Sequence, residues 1–194
     1  MRLARVAPAL PRNVDVCGTF SGNIFLVGMM GAGKTTVGKA LARRLGKPFA
    51  DTDQMIIQRT GVAVPVIFEI EGEAGFRARE TAVLQDLARS PGSVIATGGG
   101  IVLRDINREI LSTSGTVIYL RASVEDLWRR TSRDRNRPLL QTANPQQTLR
   151  DLYVQRDPLY REVADIIVDT SSQSVLRLVN DLMRKLGAFP ASTL

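Results

Sequence analysis

Five short apolar runs, NIFLVG, KPFAD, SVIAT, TVIYL and DIIVD, are spaced along the chain, and the stretches between most of them repeat their apolar residues every three or four positions. Short runs rich in Val, Ile and Phe predict buried strands, whereas the longer recurrence predicts amphipathic helices. KTTVGKALARRLG is such a helix, with Val37, Ala40, Leu41 and Leu45 on one face and Gly46 as its stop. TDQMIIQRTG begins a second, with Thr52 as the expected N-cap, and GEAGFRARETAVLQDLAR a third, its apolar face marked by Phe76, Val83, Leu84 and Leu87. RDINREILSTSG carries a fourth, and SVEDLWRRT a fifth that opens on Ser123. A helix over about 147–156 and a terminal one presenting Val175, Leu178, Val179, Leu182 and Leu186 complete the series. RDRNRPLLQTANPQQ is polar, basic and broken by prolines, so it reads as a long loop, which in a small domain is functional or mobile.

Strands and helices that alternate without an internal repeat predict an α/β domain, a parallel sheet covered by helices on both faces. Ligands of such a sheet gather at the carboxyl ends of its strands. The regular pattern starts at Asn23, which predicts one domain over 23–187, a disordered leader over 1–22 and a tail over 188–194. With 194 residues and 44% hydrophobic content the chain builds one core; aromatics are only 5%, so Val, Ile, Leu and Ala must fill it. Cys17 is the only cysteine and there is no histidine, which excludes an intrachain disulfide and leaves no Cys/His zinc site. A reducing, cytoplasmic setting fits, and no apolar run approaches membrane-spanning length. Only four of the 26 basic residues are lysine, and the formal charge is +7. Arginine's planar fork suits phosphate and carboxylate, so the excess points to anionic small ligands, to nucleic acid or simply to a solvated surface.

GMMGAGKTT, residues 28 to 36, decides part of this. Gly28, Gly33, Lys34 and Thr35 match G-x-x-x-x-G-K-[ST] between a buried strand and a helix, the context in which loop amides and the helix terminus cradle phosphate. Lys34 is expected on the β- and γ-phosphates and the Thr35 hydroxyl on Mg²⁺. The third strand ends in TGGG and offers no acid for the metal, so the nearest carboxylates are Asp51 and Asp53 in DTD. At a strand-to-helix corner these two can face different neighbours, Asp51 the metal's water shell and Asp53 an attacking hydroxyl, or both can simply cap the helix. Arg77, Arg137 and Arg156 fall at element ends near the expected acceptor, where they either converge on a carboxylate or form surface ion pairs such as Arg77 with Glu73 or Glu80 and Arg156 with Asp157.

Taken together, GMMGAGKTTVGKALA, DTDQMIIQRTG, IFEIEGEAGFRARE, VIATGGG, RPLL and RDPLY resemble, in order and spacing, the shikimate kinase family over about residues 23 to 187. The resemblance implies a three-layer P-loop kinase fold like that of the nucleoside-monophosphate kinases, with a five-stranded parallel sheet in order 2-3-1-4-5 and a lid over about 132–145. It implies ATP-dependent phosphorylation of the shikimate 3-hydroxyl on the route to chorismate, by a monomer with one Mg²⁺ and no nucleic-acid or membrane partner. By the same resemblance ATP meets Gly31, Ala32, Gly33, Lys34, Thr35, Thr36, Arg130 and Arg137. The metal shell falls to Thr35 and Asp51, and shikimate to Asp53, Arg77, Gly98, Gly99, Gly100 and Arg156. Asp53, Lys34 and Arg137 are the implied catalytic set. Glycines at 98 to 100 would let backbone approach the substrate ring closely. A gluconate-kinase-like enzyme shares the phosphate loop but has no need of paired arginines beside TGGG. A ligand-sensing module would want a DNA-binding partner domain, for which the leader is too short.

Overall fold

The computed structural model describes residues 22–132, 138–171 and 173–187. The expectations for the leader (Gly22 apart), the tail and Arg137 therefore fall outside the described residues, as does most of the first half of the expected lid. In chain order the elements are β1 (Asn23–Val27), α1 (Lys34–Leu45), β2 (Phe49–Asp51), α2 (Thr52–Thr60), α3 (Val64–Arg89), β3 (Val94–Ala96), α4 (Asp105–Ser114), β4 (Gly115–Arg121), α5 (Val124–Thr131), α6 (Pro145–Val163), β5 (Ile166–Asp169) and α7 (Val175–Lys185). Short 3₁₀ turns cover Ile101–Leu103 and Pro138–Leu140.

All the strands run parallel in one sheet ordered β2-β3-β1-β4-β5, as the family resemblance implies. β1 is buried along its whole length, and β4 along all but its end residues. Burial on both faces is why these strands appear in the sequence as unbroken apolar runs rather than alternating ones. α1 packs with α7, while α4 lies against both α3 and α6. Ile24, Phe25, Leu26, Val117, Ile118 and Leu120 form the centre of the core. A smaller apolar cluster of Ile56, Ile67, Phe76 and Val83 joins α2 to α3.

Three local expectations are corrected. Asp51, not Thr52, caps α2: its Oδ1 accepts from the backbone N–H of Asp53 (3.1 Å) and Gln54 (3.4 Å). Thr52 is instead fully buried, its hydroxyl accepting from Gly98 N–H at 2.9 Å. α3 begins at Val64 rather than near Gly72. Pro65 stands in its first turn, where a missing N–H costs nothing, and Gly72 (φ 68°, ψ −177°) breaks it into two runs. α6 continues through Pro158 to Val163 instead of stopping near Arg156. An internal proline removes one helix hydrogen bond, but Arg156, Tyr160 and Val163 bury one continuous face on either side of it, and that packing outweighs the loss.

Candidate active site

The carboxyl ends of β1, β2 and β3 open onto a cleft of about 760 Å³ lined by Met30, Lys34, Thr35, Asp53 and Arg130 among others. A second hollow of about 120 Å³ is lined by Arg77, Glu80, Gly98, Gly100 and Arg156 among others. Met30, Asp53, Val64 and Gly99 line both, so the two are chambers of one site.

In the larger chamber the loop after β1 ends on Gly33, which sits at φ 94° and caps α1 without any side-chain hydrogen bond. No acid occupies the first turn of α1 either, so its leading amides face the chamber as a ready anion site. Gly31 and Gly33 line the chamber with Thr36, while Ala32 is buried behind them. Lys34 is buried and its Nζ donates to the carbonyls of Gly28 (2.8 Å) and Met29 (2.9 Å), closing the loop on itself. Thr35 donates its hydroxyl to Asp51 Oδ2 at 2.7 Å. Asp51 thus caps α2 with one oxygen and accepts from Thr35 with the other. Arg130, from the end of α5, donates to Gly31 O (3.2 Å) and Thr170 O (2.9 Å) at the rim.

The smaller chamber gathers residues from three elements and the glycine turn. Asp53 enters from the first turn of α2. Arg77 and Glu80 come from α3, a helix turn apart, and Arg156 from α6. Arg77 is only 8% exposed; its Nη1 donates to Glu80 Oε2 at 2.9 Å, while Nε and Nη2 donate to Glu73 Oε1 at 3.2 and 2.9 Å. Both anticipated ion pairs of Arg77 exist, yet one of them is buried at the site. Burial alone would lower this guanidinium, but Glu80 and Glu73 outweigh it and hold it above its ordinary value. Arg156 does not pair with Asp157, which is engaged by Tyr119 (2.7 Å) and Arg161 (2.6 Å). It is 2% exposed, donates Nη1 to Gly99 O at 3.1 Å, and leaves Nε without a partner. Burial, and after it the repulsion of Arg77, lowers its pKa. Tyr160, one turn on, also donates to Gly99 O, and its ring packs on Tyr119 at 5.0 Å.

The glycines serve the protein's own side chains as well as the open space. A Cβ on Gly98 would overlap Glu80 Oε1 and come within 2.8 Å of Asp53 Oδ1. One on Gly100 would fall on the Arg77 guanidinium. Only at Gly99 is there near room for one, 3.3 Å from Met30 N, so Gly99→Ala is expected to disturb the site least of the three. In steady-state assays this variant should raise the KM for the acceptor by only about 3-fold, a few tenths of an ångström of movement at one wall. A rise equal to that of Gly98→Ala would contradict the packing just described.

Glu80, Glu73, Tyr160 and Thr52 were not singled out as site residues from the sequence. A signal existed for three of them: Glu73 and Glu80 stand four before and three after Arg77, and Tyr160 four after Arg156, spacings that share a helix face. Glu80 is the acid among them whose titration burial moves most. It is 0% exposed, one of its oxygens lacks a partner, and burial, opposed by Arg77 and reinforced by Asp53, pushes its carboxyl up to about 7. Because the folded chain holds this proton more tightly than the unfolded one, Glu80 costs the fold increasing stability as pH rises from about 4.5 to about 7. Glu80→Gln lacks that cost. The melting temperature of the variant minus that of the parent should accordingly grow by a few degrees between pH 5 and pH 8, and parallel curves would refute the assignment.

A family model described as shikimate kinase matches residues 30–187. The chain is 56% identical over 186 residues to a shikimate kinase of Nitrosospira multiformis, covering 93% of each chain. It is 60% identical over 166 residues to one of Chromobacterium violaceum, covering 86% of this chain and 90% of the other. A solved structure of the shikimate kinase of Acinetobacter baumannii in complex with shikimate superposes with a TM-score of 0.83 at 51% identity, covering 86% of this chain and 93% of that one.

Proposed function

The chain belongs to the shikimate kinase family, and we propose that the two chambers divide its substrates, ATP in the larger and shikimate in the smaller. The reaction is transfer of the γ-phosphoryl group of ATP to the shikimate 3-hydroxyl, giving shikimate 3-phosphate and ADP on the way to chorismate. The observation that carries the division is Asp53, which lines both chambers and stands between the phosphate loop and the two buried arginines.

Phosphoryl transfer passes through a loose transition state in which positioning and charge stabilisation do most of the work. The open terminus of α1 and the amides of residues 31 to 36 would hold the β- and γ-phosphates. Lys34 would leave the carbonyls of Gly28 and Met29 to follow the transferring group. Asp53 orients the attacking hydroxyl and accepts its proton. Arg77 and Arg156 grip the carboxylate of shikimate, and Gly99 forms the wall beside its ring. Arg130, at the rim of the larger chamber, would stack on the adenine. Arg137, outside the described residues, is assigned to the phosphates on closure of the 132–145 segment, which would exclude water.

Thr35 and Asp51 offer two hard oxygen donors side by side, which fits a Mg²⁺ that keeps most of its coordination for water and phosphate. When bound, the ion would neutralise phosphate charge. Among the described residues there is no cluster of three or more His, Cys, Asp or Glu that could hold a metal ion. A monomer is the proposed working unit. Among the described residues no helix is long and apolar enough to cross a membrane, and the proposed setting is the cytoplasm.

The test is a coupled ADP-release assay with shikimate, quinate and gluconate as acceptors. Release that depends on shikimate and is far weaker with the other two is expected. Equal rates with gluconate, which has no ring, would defeat the assignment of the smaller chamber.

A further inference from the structure

The smaller chamber has a charge problem. Arg77 and Arg156 are its cations, and Asp53, Glu73 and Glu80 are the acids gathered on or beside them. With all five ionised, these described side chains carry one net negative charge, the wrong sign to admit an anion. Arg77 is also occupied: Nε and Nη2 face one oxygen of Glu73, and Nη1 faces Glu80. A carboxylate arriving from solution meets Arg156 with an open Nε, but an Arg77 that is already neutralised.

The two acids on Arg77 differ in what they can do about this. Glu80 is fully buried, so leaving Arg77 while ionised would strand a charge away from water. The Glu73 side chain is 48% exposed and can exchange the guanidinium for solvent at little cost. It also follows directly on Gly72, the break in α3, and lies near enough to Arg156 to raise that guanidinium too. Resting on the reading that Arg77 grips the substrate carboxylate, we infer that Glu73 is a displaceable counter-ion of Arg77, surrendered when shikimate binds. It sets the affinity for the acceptor and keeps smaller anions off the site. Glu73 is a specificity-determining residue in this role, without contact to the reacting atoms.

The sign of the effect separates this role from a structural one. If Glu73 merely held Arg77 in place, removing its charge would weaken acceptor binding; if it competes, removal strengthens it. Shikimate binding to the parent, Glu73→Gln and Arg77→Ala is measured by titration calorimetry at pH 8 in two buffers of different ionisation enthalpy, with steady-state KM values alongside. Glu73→Gln is expected to bind shikimate about three- to tenfold more tightly, the worth of a partly exposed ion pair, with the KM for ATP unmoved. Inorganic sulfate should compete with shikimate only weakly in the parent and markedly in the variant. Equal or weaker shikimate binding by Glu73→Gln would overturn the proposal. So would uptake of about one proton per shikimate by the parent, since the pocket would then admit its anion by protonating Glu80. Arg77→Ala reports on the underlying reading alone: if it leaves shikimate affinity unchanged, the carboxylate lies elsewhere. Matching melting temperatures of parent and Glu73→Gln establish that the variant is folded.

Discussion

Replacing Asp53 with asparagine should lower kcat by about 10²- to 10⁴-fold while ATP continues to bind, the usual range for loss of a positioned proton acceptor. The expectation follows from where the carboxylate stands. It enters the cleft from the first turn of α2, a helix whose start is fixed by the Asp51 cap and by Thr52, whose hydroxyl accepts from Gly98 N–H of the glycine turn. Its backbone is therefore anchored independently of its own side chain, and asparagine should keep the geometry while losing the charge and the proton affinity. Single-turnover kinetics with ATP and shikimate at saturation would separate a chemical defect from a binding one. A variant that retained near-normal kcat would remove Asp53 from the reaction and leave it a helix-terminal acid.

Gly100→Ala is the second large effect, with the KM for shikimate expected to rise by about 100-fold, as for a misplacement of roughly 1 Å in a binding group. The added methyl would stand where the Arg77 guanidinium now lies, and that guanidinium cannot retreat far because the buried Glu80 tethers it from α3. The phosphate loop is built from other residues, so the KM for ATP should change little. Measuring both KM values in one series with Gly99→Ala makes the comparison internal. If the two alanine variants raised the shikimate KM equally, Arg77 would not be the group that reads the substrate at this wall.

Much of this site could be read from the sequence, and the reason is local. The phosphate loop, the DTD corner and the TGGG turn are each contiguous, and a strand buried on both faces writes itself as an apolar run. Of the two roles expected of Asp51, the structure shows the helix cap, and its second oxygen meets Thr35. What escaped depends on distant partners. The first half of α3 was hidden because Pro65 and the surrounding valines look like a turn and a strand, and only the packing of Ile67 with Ile56 and Phe76 makes that stretch a helix. The full length of α6 was hidden by Pro158 for a similar reason. The burial of Glu80 arises from α3 lying against residues 98 to 100, a contact no spacing rule contains. Arg156 shows the opposite error: its neighbour Asp157 was a plausible partner by adjacency, yet the helix turns the two side chains to different tasks.

The carbonyl of Gly99 receives both Arg156 and Tyr160, so one of the two arginines proposed to grip the acid end of the substrate is fastened, with a core tyrosine beside it, to the glycine turn at one oxygen. Tyr160 is itself sealed in the core against Tyr119. The grip consequently has no independent melting of its own: hydrogen exchange at the amides around 156 to 160 should be as slow as that of the central strands, and the pocket should survive intact until the whole domain gives way.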